Sequence, residues 1–130
     1  MKTSKTDILR VIGATVWISL SEFFRNEFLL KSFWKEHYQQ LGIVFPSDPV
    51  NGAVWGLWSL LLALFIYMLH SKFNFIQTSL ISWFSAFLMM WVVTGNLGVL
   101  PFNLLFAAIP LSLIEVFVAA YIIHKPIKTN

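Results

Sequence analysis

Two carboxylates, Glu22 and Glu115, stand deep within mostly apolar stretches of the amino-acid sequence. Glu22 interrupts a run from Val11 to Leu30, and Glu115 interrupts one from Phe102 to Ile123. A carboxylate near the centre of a membrane span costs about 2.5–3.5 kcal/mol on insertion scales, so it needs a partner, a proton or a bound cation. Residues at i, i+4, i+7 and i+11 share one helix face, which groups Thr15, Ser19, Glu22 and Asn26. The same spacing groups Ala108, Ser112, Glu115 and Ala119. At 1.5 Å per residue, Glu22 lies about 16 Å and Glu115 about 12 Å from one side of a bilayer. Two carboxyls at matching depth on inward faces are expected to share a proton or hold a cation. Glu22, Asn26, Glu115, Ser19 and Ser112 are therefore the candidate binding residues. A structural reading competes with this one. Glu22 and Arg25, spaced i, i+3, could pair locally with Asn26 as a further donor, and Glu115 could bond a neighbouring Ser or carbonyl. Arg25 and Glu27 are placed near the outer surface, where they can snorkel.

Composition supplies the solvent for these groups. Of 130 residues, 58% are hydrophobic, 17% aromatic and only 12% charged. Soluble chains are about 45–50% apolar and roughly 25% charged, so the class is an integral membrane protein. So aromatic a chain is not intrinsically disordered. Without cysteine there is no disulfide, thiolate nucleophile or thiolate metal site. The net charge of +3 does not point to nucleic acid, because the basic residues fall at chain ends and in loops.

Four stretches reach the roughly 20 residues that a transmembrane helix requires. They are approximately 11–30, 50–69, 75–94 and 102–123, with 31–49 as an interfacial extension of the first. The expected fold is all-α, a single four-helix transmembrane domain over residues 1–130. Ser47-Asp48-Pro49 marks the start of the second helix, and the turn from Gly95 to Pro101 separates the last two. Pro110 should free the Phe106 carbonyl and kink the fourth helix. Lys2, Lys5, Arg10, Lys72, Lys125 and Lys128 fall on one side, against Arg25, Lys31 and Lys35 on the other. That bias puts both termini in the cytoplasm, with the first span an uncleaved anchor. Trp34, Tyr38 and Trp55 are expected in an outer aromatic belt, with Tyr67 and Tyr121 at the inner face.

The middle helices supply packing faces. The second groups Gly52, Gly56, Ser59 and Ala63; the third groups Thr78, Ser82, Ser85 and Met89. Small residues permit close helix approach in membranes, so Gly52, Gly56, Ser59, Ser82 and Ser85 are read as packing positions. Gly52-x-x-x-Gly56 could equally serve a dimer contact, which leaves homo-oligomerisation open.

Other chemistry finds little support. His37, His70 and His124 sit at span ends rather than facing each other at depth, so neither haem nor a metal is expected. No Ser/His/Asp set, phosphate loop or zinc-protease motif occurs, and no catalytic residue or cofactor is assigned. Lipid-modifying chemistry, were it present, would use Arg25, Asn26, Glu27 and His37 on the outer face.

In layout the chain resembles small bacterial four-helix membrane proteins that form domains of unknown function. The resemblance rests on Trp17 in the first span, the Phe33-Trp34 pair, Gly42 and three further spans, and it implies no activity. Small multidrug-resistance exporters also have four short helices and a glutamate in the first. This chain departs from them in its long first loop, its Ser- and Met-containing third helix, its second glutamate and its definite Lys/Arg bias. The functional expectation is a small polytopic inner-membrane protein that binds or passes a small solute or proton at its carboxylate pair. The alternative is an accessory protein whose polar faces serve folding or partner docking. Beyond the lipid bilayer, no ligand or partner is specified by the sequence.

Overall fold

The computed structural model describes residues 3–124, which form helices and no strand. Lys2, Lys125 and Lys128, used in the charge comparison, lie outside the described residues. Helix α1 (Lys5–Phe23) begins earlier than the apolar run because Ser4 and Asp7 cap it reciprocally. The Ser4 hydroxyl accepts from the Asp7 N–H at 3.2 Å, and the Asp7 carboxylate accepts from the Ser4 N–H at 3.1 Å. The chain then widens into a π-helical stretch, Phe24–Leu29. It breaks at Leu30 (φ −116°, ψ 7°) and starts the short helix α2 (Lys31–Gln40). Gly42, at φ +75°, closes α2 with a left-handed residue that a side chain would strain.

Helix α3 (Pro49–His70) starts at the expected Asp48-Pro49 signal, and the Asn51 side chain accepts from the Asp48 N–H at 2.9 Å. Helix α4 (Phe75–Asn96) is capped by Asn74 and Gln77 and contains a second π-helical stretch, Phe84–Leu88. Helix α5 (Phe102–His124) opens with a 3-10 turn and runs on through Pro110.

α1 packs against α3 and α5, while α5 also packs against α4 and α3, and α3 against α4. The α1–α5 contact is the one that Glu22 and Glu115 need in order to meet. Ala14, Ile18, Ala63, Ile66, Phe87, Val116, Ala119 and Ala120 fill the interior, whereas Leu20, Phe28, Leu61, Phe106 and Ile114 are exposed on the outside. An apolar exterior around a core that mixes alanines with larger apolar side chains suits a lipid solvent. α3, α4 and α5 are each long and apolar enough to cross a membrane. α1 is not in that group, because its 19 residues include Lys5, Asp7, Arg10 and Glu22.

The packing faces partly differ from the expected ones. Ser59, Ala63, Thr78, Ser82, Ala108, Ser112, Glu115 and Ala119 are buried as expected. Ser85 and Met89 are exposed, and Phe87 and Trp91 take their place. The cause is the π-helical stretch of α4, whose wider turn advances the inward face from Ser82 to Phe87 rather than to Ser85 or Ala86. Gly52 is exposed and Gly56 half-buried; a Cβ at either would meet nothing within 4 Å. Neither glycine supports packing within this chain.

Candidate functional site

Glu22 faces inward from the last turn of α1, two residues before the backbone enters its π-helical stretch. Arg25, three residues on, continues the inward face of Ala14, Ile18 and Glu22 and is buried with them. Arg25 is 6% exposed, Glu22 3% and Glu115 1%. The snorkelling position expected for Arg25 is therefore wrong, and the local Glu22–Arg25 pairing is right.

The guanidinium organises the site. Its Nη2 donates to Glu22 Oε1 at 2.6 Å, and its Nη1 lies 3.6 Å from Glu115 Oε1. Its Cζ stands 5.2 Å from the centre of the Phe87 ring, close enough for a cation–π contact. Phe87 comes from the π-helical stretch of α4, so the two π-helical stretches meet at this contact. Asn26 completes the shell of Glu22, its amide donating to Oε2 at 2.9 Å and to the Glu22 carbonyl at 3.1 Å. Trp34 of α2 donates to Asn26 Oδ1 at 3.1 Å. Its indole is thus a support for the site and more than a belt residue. Trp34 also stacks on Phe45, and His37 bonds the Gly98 carbonyl at 2.7 Å. These contacts hold α2 across one end of the helices.

Glu115 has no such shell. Neither of its oxygens accepts a hydrogen bond among the described residues, and the Arg25 contact at 3.6 Å is too long for one. Its side chain is also in electrostatic contact with Glu22. Two carboxylates both accept and neither donates, so they can bond each other only through a proton. The Glu115 backbone is held more firmly, because the Trp17 indole donates to its carbonyl at 2.9 Å. Ser112, one turn away, accepts from the Trp83 indole at 2.9 Å and donates to the Ile109 carbonyl at 2.9 Å. Its hydroxyl is thereby engaged in joining α4 to α5. Ser19 is half-buried on the flank of α1.

A cavity of about 120 Å³ lies between α1 and α5, lined by Trp17, Ser21, Phe24, Arg25, Leu111, Ile114 and Glu115. Phe24 and Ile114 are each 55% exposed, so its mouth is on the outer, apolar surface of the helices. Arg25 and Glu115 form its inner end.

The four outer-face residues weighed for lipid-modifying chemistry do not converge. Arg25 and Asn26 turn to the interior, Glu27 pairs with Lys31 at 3.2 Å, and His37 is engaged by Gly98. At the opposite end, the rings of His70 and His124 stand 5.1 Å apart. Their Nδ1 atoms bond the carbonyls of Tyr67 and Ala120. No cluster of three or more His, Cys, Asp or Glu that could hold a metal occurs among the described residues.

Reasoning from spacing missed the central place of Arg25 and the parts played by Trp17, Trp34, Trp83 and Phe87. The i, i+3 relation to Glu22 was the available signal for Arg25. A tryptophan that spans two helices through its indole N–H has no spacing signature of its own. No protein-family model matches this chain, and no curated protein or solved structure matches it either.

Proposed function

We propose that the chain is a small polytopic protein of the bacterial inner membrane that binds or passes a proton or small solute at Glu115. It crosses the bilayer four times with both termini cytoplasmic. α1 serves as the first span despite its charges, because Glu22 and Arg25 compensate each other inside. The burial of Arg25 also removes one cation from the outer side, which strengthens the positive-inside bias.

One observation carries the reading: Glu115 is almost wholly buried, yet neither carboxylate oxygen accepts a hydrogen bond. Glu22 is fixed by Arg25 and Asn26, while Glu115 shares the same cation at longer range. With every group ionised, one excess negative charge is enclosed, and burial of an uncompensated charge is costly. A proton or a cationic ligand would remove that cost. The test is proton movement into liposomes carrying the purified protein under an imposed potential. Wild-type protein is expected to conduct or exchange protons, and Glu115→Gln, folded by circular dichroism, is expected not to. Equal rates in both and in empty liposomes would remove the reading.

The accessory reading has its own support in the open face at Gly52 and Gly56, where a neighbouring helix could approach closely. It requires Gly56→Leu to disrupt an assembly while Glu115→Gln is silent.

A further inference from the structure

We infer that the cavity between α1 and α5 receives a small primary amine, its ammonium on Glu115 and its apolar body between Trp17, Phe24, Leu111 and Ile114. This rests on the reading of Glu115 as the exchangeable group and names the ligand class it takes. A dry cavity of roughly 150 Å³ accommodates benzene; this one, at 120 Å³, is smaller, so a single ring or short branched chain would fill it and extend into the mouth at Phe24 and Ile114, and a phospholipid is excluded. The walls are apolar except at the inner end, which gives the ligand one polar terminus.

The charge at that end decides which terminus. A carboxylate would add to an enclosure that already holds Glu22 and Glu115, with Arg25 committed to Glu22 at 2.6 Å. A neutral hydroxyl brings one donor and leaves the excess charge in place. An ammonium brings three donors and one positive charge. Both oxygens of Glu115 lack a hydrogen bond, and the Ser21 hydroxyl lies in the same lining. Trp17 and Phe24 add aromatic faces that attract a cation. If a proton bridges Glu115 and Glu22 beforehand, it leaves as the ammonium enters, so the net charge of the site is unchanged. The mouth at Phe24 and Ile114 faces the apolar exterior. The route of entry is thus lateral, from the bilayer.

The test uses the full chain in phosphatidylcholine nanodiscs, with benzylamine as probe and toluene as its counterpart lacking the amine. Binding is read by calorimetry against empty nanodiscs. The expected result is saturable benzylamine binding, at least about tenfold tighter than toluene. Glu115→Gln should lose that preference while still binding toluene, which also reports its fold. Ser21→Phe, which fills the cavity, should bind neither. No saturable benzylamine binding to the wild type overturns the inference, as does equal affinity for both probes, and neither result requires a variant to fold. If proton movement depends on Glu115 but benzylamine does not bind, the amine is wrong and the proton reading stands. If both fail, both are wrong.

Discussion

Arg25 Nη1 lies 3.6 Å from Glu115 Oε1, while Nη2 of the same guanidinium lies 2.6 Å from Glu22 Oε1. One cation thus tethers a residue of its own helical segment and reaches a residue of α5 whose carboxylate accepts no hydrogen bond among the described residues. The two contacts are unequal: Glu22 is fixed by the guanidinium at hydrogen-bond distance, whereas the Glu115 carboxylate is reached only at longer range, and the proposed exchange at Glu115 rests on that difference.

Removing the cation should be far worse than neutralising Glu115. Breaking a buried ion pair from one side costs about 3–5 kcal/mol. Arg25→Met is expected to unfold at much lower denaturant than wild type in detergent. Glu115→Gln should be close to wild type, because it deletes the excess charge. Arg25→Lys should fall between, since a lysine retains the charge but loses the planar fork. Denaturant midpoints of the three variants check this ordering.

The indole supports should each contribute about 1 kcal/mol, the usual net worth of a neutral hydrogen bond. Trp34→Phe frees Asn26 Oδ1 and should loosen α2, read as faster hydrogen exchange across Lys31–Gln40. Trp83→Phe should leave α2 unchanged, because its partner is Ser112 on α5. A loosened α2 in both variants would mean that α2 is not held by Trp34.

The π-helical register in α4 makes neighbouring serines respond oppositely. Ser82→Leu forces a large side chain into a fully buried position and should cost about 1–3 kcal/mol. Ser85→Leu faces outward and should stay within about 0.5 kcal/mol of wild type. Unfolding free energies of the two variants decide between this register and a continuous α-helix, in which both positions would face inward.

The start of α1 carries a pH dependence whose sign is fixed. The backbone hydrogen bond from Ser4 holds the Asp7 carboxyl below the ordinary aspartate range, opposed by partial burial and helped by the Ser4 side chain, Tyr67 and Arg10. A carboxyl depressed in the folded state stabilises fully above its unfolded value, about 3.9. That contribution is lost as pH falls through the lower folded value. Protection of the first-turn amides of α1, relative to their intrinsic exchange, should therefore fall with pH in the wild type, and Asp7→Asn should show no such step. Hydrogen exchange across that acid range measures it.

Topology is open to a labelling test. Single cysteines replacing Ser4, Ser47, Ser71 and Asn96, all exposed, should react from the inside, outside, inside and outside respectively. Asn96 is preferred to the neighbouring Gly98, whose φ of +76° disfavours a side chain.

Much of the architecture was legible because it follows from local rules. The cap at Asp48, proline at the head of α3 and long apolar runs all appear in the order of residues, and α3 starts where these signals place it. The Glu115 face was legible too, since α5 keeps an unbroken helical period past Ser112 and Ala119. The face of α4 was legible only up to its π-helical stretch: beyond Ser82 a wider turn makes Phe87 point inward, so Ser85, expected inside, lies outside. The face of α1 was legible only at Glu22, because Ala14 and Ile18 are buried where Thr15 and Ser19 are expected. Arg25 shares the Glu22 face by its i, i+3 spacing, and only its expected depth at the outer surface differs. Gly52 and Gly56 fail for a different reason: small residues announce that an approach is permitted, not that this chain uses it.

The most direct measurement is the carboxyl-region infrared difference spectrum in bilayers, stepped between about pH 5 and 9, for wild type and Glu115→Gln. The account predicts a carboxyl band that changes with pH in the wild type and is absent from the variant. Identical spectra would mean that Glu115 does not exchange a proton, and would contradict it.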